Sequence, residues 1–366
     1  MSPDQRAMAL GVIALSRHET ALAVRHLELA ARRTPNGGLH LPMALGGLAW
    51  ARFDSGELDG ARDLAVRVLA ALPSGVPPGH QAGVVGDMRA GALAALASVA
   101  VLRADPDMGE RLRDALDAVQ PGRHAAHHLR LERARGLAAE RDGHGELAYR
   151  RLRRLYHSDG RPVHHRISDL GIADLAHVAA AIGTGDEVAP IVAAAGPRIR
   201  ALRAARIGML RHRALALLAG ADPVAETEFR LALADPGGDR WPVERALARL
   251  DYAQWLRRRH RPGESRPILV AARDVFDAVK LTGWAARAAA ELDAAGPPRR
   301  SGPATATELT PQQRQVVALA ARGLTNQQIG ARLDLSPRTV STHLSRAYAV
   351  LGVTRRAQLP SVIDPG

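Results

Sequence analysis

The 366-residue chain has no cysteine. Disulfides, thiolate nucleophiles, cysteine-held iron–sulfur clusters and cysteine-based zinc sites are thereby excluded together. Aromatic residues make up only 3% of the chain, which disfavours sheets, whose strands draw on β-branched and aromatic side chains. Lysine occurs once, at Lys280 within Val279-Lys280-Leu281-Thr282, so the G-x-x-x-x-G-K-[ST] loop that cradles nucleotide phosphates is missing. Long apolar runs are missing too. Ala92–Leu102 falls well short of the roughly 20 apolar residues that cross a bilayer. The first residues, Met1 to Arg6, lead into a short apolar segment broken at Ser16 and Arg17. No secretory signal is expected from that pattern, and the reading is a cytoplasmic protein without a membrane partner.

What is there is mostly small and aliphatic. The apolar share is 46%, with 34 glycines and 23 prolines, so alanine, leucine and valine must supply the packing. Such side chains suit closely approaching helices. The length exceeds what one hydrophobic core usually holds and predicts two domains or a repeat array. Lys plus Arg outnumber Asp plus Glu by 50 to 37, for a net charge of +13, and an acidic partner fits that balance.

From residue 7 to about 295 the pattern is helix after helix, broken by short Gly, Pro or Asp turns. A repeat runs through it. Gly11, Ala23, Leu27, Ala30 and Pro35 recur 38 positions later as Ala49, Ala61, Ala65, Val68 and Pro73. The spacing returns in Gly136, Ala148, Leu152 and Leu155, and loosely in Ala253, Ser265, Leu269 and Ala272. Small residues at those offsets let two helices approach closely, and the +4 and +7 steps turn one stripe inward. This region resembles the tetratricopeptide family, which implies a solenoid of helical hairpins with a curved surface for a protein or peptide partner. A spacer or dimerisation arm is the plainer alternative.

Chemistry within the array is weakly signalled. His124, His127 and His128, with His164, His165 and Asp169, invite a zinc or acid–base site, yet no H-E-x-x-H order exists and arginines surround them. Satisfied or solvated histidines are the expectation, with no cofactor, no metal and no enzymatic activity. Arg257-Arg258-Arg259-His260-Arg261 is expected to end a helix, where cations suit the dipole, with a DNA-facing patch as the alternative.

Beyond the Pro- and Arg-containing stretch that starts at Pro297, three helices are predicted within about 40 residues. Thr310, Pro311 and Gln313 spell a capping box; Val316, Val317 and Ala320 form the buried face; Gly323 stops the helix. Thr325 starts the second helix, with Ile329 and Leu333 inward. After Asp334-Leu335-Ser336-Pro337 the third helix carries an apolar stripe of Val340, Leu344, Ala347 and Leu351. A short helix, a tight turn and a longer helix is the arrangement that places the last element in a major groove. The segment holds seven arginines against Glu308, Asp334 and Asp364.

Leu309 to Leu359 resembles the LuxR-type (GerE) helix-turn-helix family. The resemblance is carried by Leu309-Thr310-Pro311, Ala321-Arg322-Gly323-Leu324-Thr325-Asn326, Ile329-Gly330, Leu335-Ser336-Pro337-Arg338-Thr339-Val340, His343 and Leu351-Gly352-Val353. It implies that the third helix reads base edges through Thr339, Ser341, Thr342 and Ser345. Arg338, His343 and Arg346, with Thr325 and Asn326, would then position phosphates; His343 as a packing or capping residue stays open. Many family members have Lys or Arg at Ser341 and Lys at Val350, and Gln313 and Gln315 replace acidic residues. The family's fourth helix, expected from Thr354 and often used for dimerisation, meets Pro360.

The expected fold is therefore all-α: a tetratricopeptide-like helical-hairpin solenoid over 1–296, a linker at 297–307, and a small four-helix LuxR-type domain at 308–366. That order resembles the end of the large ATP-binding LuxR regulators without their ATPase module. The expected function is a bacterial, sequence-specific transcription regulator in the cytoplasm and nucleoid. Promoter DNA is its partner, with a homodimer and an RNA polymerase contact implied by the family. A protein-interaction scaffold with a vestigial DNA-binding domain is the alternative.

Overall fold

Ser2 Oγ accepts the Gln5 N–H at 3.4 Å while Gln5 Oε1 accepts the Ser2 N–H at 3.0 Å. This capping box starts the first helix at Pro3. The computed structural model describes residues 2–34, 39–73, 80–296, 309–333, 335–351, 353 and 355–359. It divides into two units, Met1–Ala295 and Gly296–Gly366. The linker expected at 297–307 lies outside the described residues, as does Pro35.

The first unit consists of α1 (Pro3–Ser16), α2 (Thr20–Arg33), α3 (His40–Asp54), α4 (Leu58–Ala71), α5 (His80–Arg103), α6 (Met108–Ala118), α7 (Ala125–Arg141) and α8 (Gly145–Arg153). It continues with α9 (His165–Leu170), α10 (Ile172–Ile182), α11 (Gly185–Leu202), α12 (Ala205–Ala219), α13 (Val224–Ala234), α14 (Pro242–Arg258), α15 (Pro262–Ala278) and α16 (Thr282–Ala294). No strand is present among the described residues; one isolated bridge joins Tyr156 and Pro162.

Neighbouring helices pack as pairs, α1 with α2, α3 with α4, α7 with α8 and α14 with α15. The repeat read from the sequence lies in those pairs. Ala23, Leu27, Ala30, Ala49, Ala61, Ala65, Val68, Ala148, Leu152, Leu155, Ala253, Ser265, Leu269 and Ala272 are all buried. The two glycines of the pattern sit at the closest approaches: a Cβ on Gly11 would lie 2.6 Å from Leu27 Cγ, and one on Gly136 would lie 2.7 Å from Leu152 Cγ.

The turns within pairs share a closure absent from the sequence pattern. The N–H of Glu19, Glu57, His144, Arg261 and Leu281 each reaches back five residues, to Ala14, Arg52, Ala139, Leu256 and Phe276. The residue before each donor is left-handed: His18, Gly56, Gly143, His260 and Lys280 have φ of 61°, 78°, 80°, 60° and 60°. Only two of the five are glycine, the residue that adopts this conformation without strain.

α5 is the main departure from the expected helix lengths. It has 24 residues and is the one helix among those described that is long and apolar enough to cross a membrane. Two thirds of that apolar window is buried within the unit, with 67% covered. It packs on α3, α4, α6 and α7, so burial against other helices accounts for its composition.

The two ends of the unit meet. Trp241 Nε1 donates to Thr20 Oγ1 at 3.0 Å, and Leu58 and Ala61 share one apolar cluster with Leu247, Leu250 and Phe276. The unit also holds a buried ionic network. Asp54 receives Arg130 at 3.3 Å, Arg166 at 3.2 Å and Arg206 at 3.2 Å. Arg206 also binds Glu244. A second chain runs from Arg133 to Asp174 at 2.8 Å, from Asp174 to Arg213 at 3.1 Å and from Arg213 to Asp251 at 2.6 Å. It continues through His177 at 3.0 Å and Glu140 at 3.1 Å to Arg287. Burial alone would raise the Asp54 carboxyl, but the guanidiniums of Arg206, Arg130 and Arg166 hold it well below the carboxylate range.

The second unit contains α17 (Pro311–Ala321), α18 (Asn326–Leu333) and α19 (Pro337–Leu351), followed by a single 3₁₀ turn at Arg356–Gln358. That turn stands where a fourth helix is expected to begin; Pro360 and the residues after it lie outside the described residues.

Candidate nucleic-acid interface

Each helix of the second unit starts where the sequence places a hydroxyl. Thr310 Oγ1 accepts the Gln313 N–H at 3.2 Å and Gln313 Oε1 accepts the Thr310 N–H at 2.9 Å. Thr325 and Gln328 repeat the exchange at 3.3 and 2.8 Å. At the third start Ser336 Oγ accepts the Thr339 N–H at 3.0 Å. Ser336 is thus a cap that the sequence reading passes over, although Ser followed by Pro is the signal for one. α17 ends at Ala321, and Gly323 then takes φ of 86°.

The apolar stripes read from the sequence form one cluster. Val316, Val317, Ala320, Ile329, Val340, Leu344, Ala347 and Leu351 are buried together with Leu309, Val353 and Leu359. Leu333 packs against it half-buried. The turn between α18 and α19 is held by Leu335 N–H donating to the Gly330 carbonyl at 2.9 Å. A Cβ on Gly330 would lie 2.4 Å from the Leu335 carbonyl oxygen, so the tight turn requires glycine there.

Burial of one stripe leaves the other face of α19 outside. Arg338, Ser341, Thr342 and Ser345 are exposed, whereas Thr339 and His343 are half-buried. Thr342 Oγ1 donates to the Arg338 carbonyl at 3.1 Å, and Thr339 Oγ1 shares a hydrogen bond with Ser336 Oγ at 2.7 Å. Thr325 is exposed beside the start of α18. Asn326 is engaged differently: its Oδ1 accepts Arg356 Nη1 at 2.8 Å, and Arg356 also donates to the Leu324 carbonyl. Arg356 therefore ties the last turn to α18, a role the sequence reading did not give it. The side chains of Arg346 and Val350 lie outside the described residues. Residues 301–366 carry seven arginines against Glu308, Asp334 and Asp364.

Residues 307–363 match the family model described as bacterial regulatory proteins, luxR family. The carboxy-terminal segment is a LuxR-family helix-turn-helix domain. A Mycobacterium bovis protein named as an HTH-type transcriptional regulator is 46% identical over 83 residues, covering 21% of this chain and 9% of its own length. The DNA-binding transcriptional activator DevR/DosR of Mycobacterium tuberculosis is 46% identical over 50 residues, 14% of this chain and 23% of its own. The transcriptional regulatory protein SgaR of Hyphomicrobium methylovorum is 47% identical over 49 residues, 13% of this chain and 23% of its own. The matched part thus spans 9% of the first relative's length.

Of the histidines singled out in the array, His124, His127, His128 and His164 each keep one buried ring nitrogen without a hydrogen-bond partner, which departs from the expectation of satisfied or solvated side chains. His124 Nδ1 accepts the Gln120 N–H at 3.1 Å. His127 stacks on Trp50 with centroids 6.2 Å apart, and burial brings its pKa down to about 4. Asp169 is gripped by both terminal nitrogens of Arg198, and His165 is exposed. Among the described residues no group of three or more His, Asp or Glu could hold a metal. The arginine run ends α14 as expected, but most of it is internally paired. Arg257 reaches Glu291 at 2.6 Å, Arg261 reaches Glu226 and Glu264 at 2.7 Å, and Arg259 lies 5.1 Å over Trp255.

Proposed function

We propose that this chain is a sequence-specific DNA-binding transcription regulator and not an enzyme. α19 would enter the major groove, with Arg338, Ser341, Thr342 and Ser345 facing the DNA. The observation that carries the reading is that exposed polar face, set opposite a fully apolar stripe in a segment with seven arginines against three carboxylates. Thr342 and Ser345 suit base edges, and Arg338, beside the capped start of the helix, suits either a guanine or a phosphate. Thr339, Thr325 and His343 border the face and would position the backbone. Asn326 would act through the 3₁₀ turn it shares with Arg356. Arg346 is assigned a phosphate by its place in the sequence. The first unit would receive a protein or peptide signal or present a partner, and dimerisation and an RNA polymerase contact belong to the same proposal.

The test is selection of duplexes from a randomised pool by the full chain, followed by anisotropy titration of the winners. A defined consensus, lost in Arg338→Ala and altered at one position in Thr342→Ala, is expected. Binding that ignores sequence and both substitutions would defeat the assignment and favour the scaffold alternative.

A further inference from the structure

A cleft of about 550 Å³ opens in the first unit among α10, α12, α13, α14 and α16. That volume lies within the range of small-molecule sites, roughly 300–1,000 Å³. Its walls are bare: Ala180, Ala181, Ala216, Gly220 and Ala221 contribute no bulk, half-buried Leu217 adds apolar surface, and Phe229 and Trp255 lie behind them almost wholly buried. Trp255 is fixed by its Nε1 donating to the Gly220 carbonyl at 2.8 Å, and Phe229 is tilted against it with centroids 6.4 Å apart.

The polar part of the lining is strongly one-sided. His177, Arg258, Arg259 and Arg287 face a single carboxylate, Asp251, which is already bound by Arg213 at 2.6 Å and His177 at 3.0 Å. Gln254 is the neutral polar side chain there, and its amide is committed to Glu291 at 3.0 Å. Arg287 is held by Glu140 and Arg259 by the Ala221 carbonyl. Arg258 is exposed and has no ion pair or hydrogen bond among the described residues.

We propose that this cleft binds a small organic acid, an aromatic or aliphatic body lying along Ala180, Ala181 and Leu217 with its carboxylate, sulfonate or phosphate on Arg258. Sugars are poorly served, because Gln254 is the one neutral polar side chain among the lining residues and its amide nitrogen is already given to Glu291. Cations are repelled. The site goes beyond the DNA-binding reading, and its test involves no DNA, so either can fail alone.

The probe is 1-anilinonaphthalene-8-sulfonate, an aromatic body with one anionic group, compared with uncharged N-phenyl-1-naphthylamine of the same shape. Both are titrated by fluorescence into the full chain and two variants at exposed positions, Arg258→Gln and Ala181→Trp, with circular dichroism confirming retained helix. One saturable sulfonate site is expected. R258Q should weaken the sulfonate about tenfold and leave the neutral dye unchanged, whereas A181W should weaken both. Sulfonate binding indifferent to both substitutions, or equal loss of both dyes in R258Q, would overturn the proposal.

Discussion

Gly136 of α7 faces Leu152 of α8 so closely that a Cβ would sit 2.7 Å from Leu152 Cγ, and Gly11 meets Leu27 in the same way 16 residues on. Leu152 is fully buried. Gly136→Ala should therefore overpack the α7–α8 pair and cost about 1–3 kcal/mol. Gly208 within α12 has nothing within 4 Å of its would-be Cβ. Gly208→Ala should raise stability by roughly 0.5–1 kcal/mol. Urea midpoints of the two variants moving in the same direction would refute the close-approach account.

Asp54 is the acid shared by Arg130, Arg166 and Arg206, and Arg206 pairs with Glu244 as well. Asp54→Asn removes the charge without changing the shape and leaves buried guanidiniums uncompensated. The expected loss is about 3–5 kcal/mol, measured as a fall in the chemical denaturation midpoint. A change under about 1 kcal/mol, the value of an exposed pair, would show that water reaches the network.

Buried histidines set opposite slopes in pH. Burial lowers His177, but Asp251 and Glu140 outweigh it and raise its pKa to about 9 from 6.5. A raised folded pKa gives stability that is complete below 6.5 and lost as pH climbs through 9. Burial lowers His18 to about 3, helped by Arg206 and Arg166, and His127 to about 4. Those two give stability that is present above 6.5 and lost as pH falls toward 3 or 4. Stability should thus peak near neutrality. His177→Gln should flatten the alkaline limb of the urea midpoint between pH 6.5 and 9; an unchanged limb would contradict the protonated pair.

The turn between α18 and α19 depends on Gly330, whose Cβ would strike backbone, the Leu335 carbonyl, at 2.4 Å. Backbone cannot rotate aside as a leucine tip can. Gly330→Ala should destabilise the second unit by about 1–3 kcal/mol and leave the first intact, seen as early protease cleavage after residue 309. Uniform resistance to protease along the chain would argue against this.

Ser341 is exposed on the face proposed to meet DNA. Ser341→Arg should add one phosphate contact and steepen the salt dependence of duplex affinity by about 0.9 in log–log slope. An unchanged slope would place that position away from the backbone.

The helix-turn-helix was legible because its signals are local. Thr310 with Gln313, Thr325 with Gln328 and the stripe Val340, Leu344, Ala347 and Leu351 act over three to eleven residues, the range on which capping and helical period depend. The last turn was less so, because Arg356 must find Asn326 across thirty residues. In the array the spacing of Gly136 with Leu152 was readable as one pair, whereas the left-handed turns at His18, His260 and Lys280 carry no glycine to announce them.

The sequence by itself determined the helices, their starts and the buried stripe of each pair, since a residue's neighbours one to five turns away decide those. Only the tertiary structure decided that Asp54, Arg130, Asp174, Arg206 and Asp251 converge, acids on α3, α10 and α14 meeting arginines on α7 and α12. Each such charge looks like a solvated surface residue on its own helix. Its partner lies far along the chain, 76 residues between Asp54 and Arg130, and winding of the whole unit is what takes both out of water.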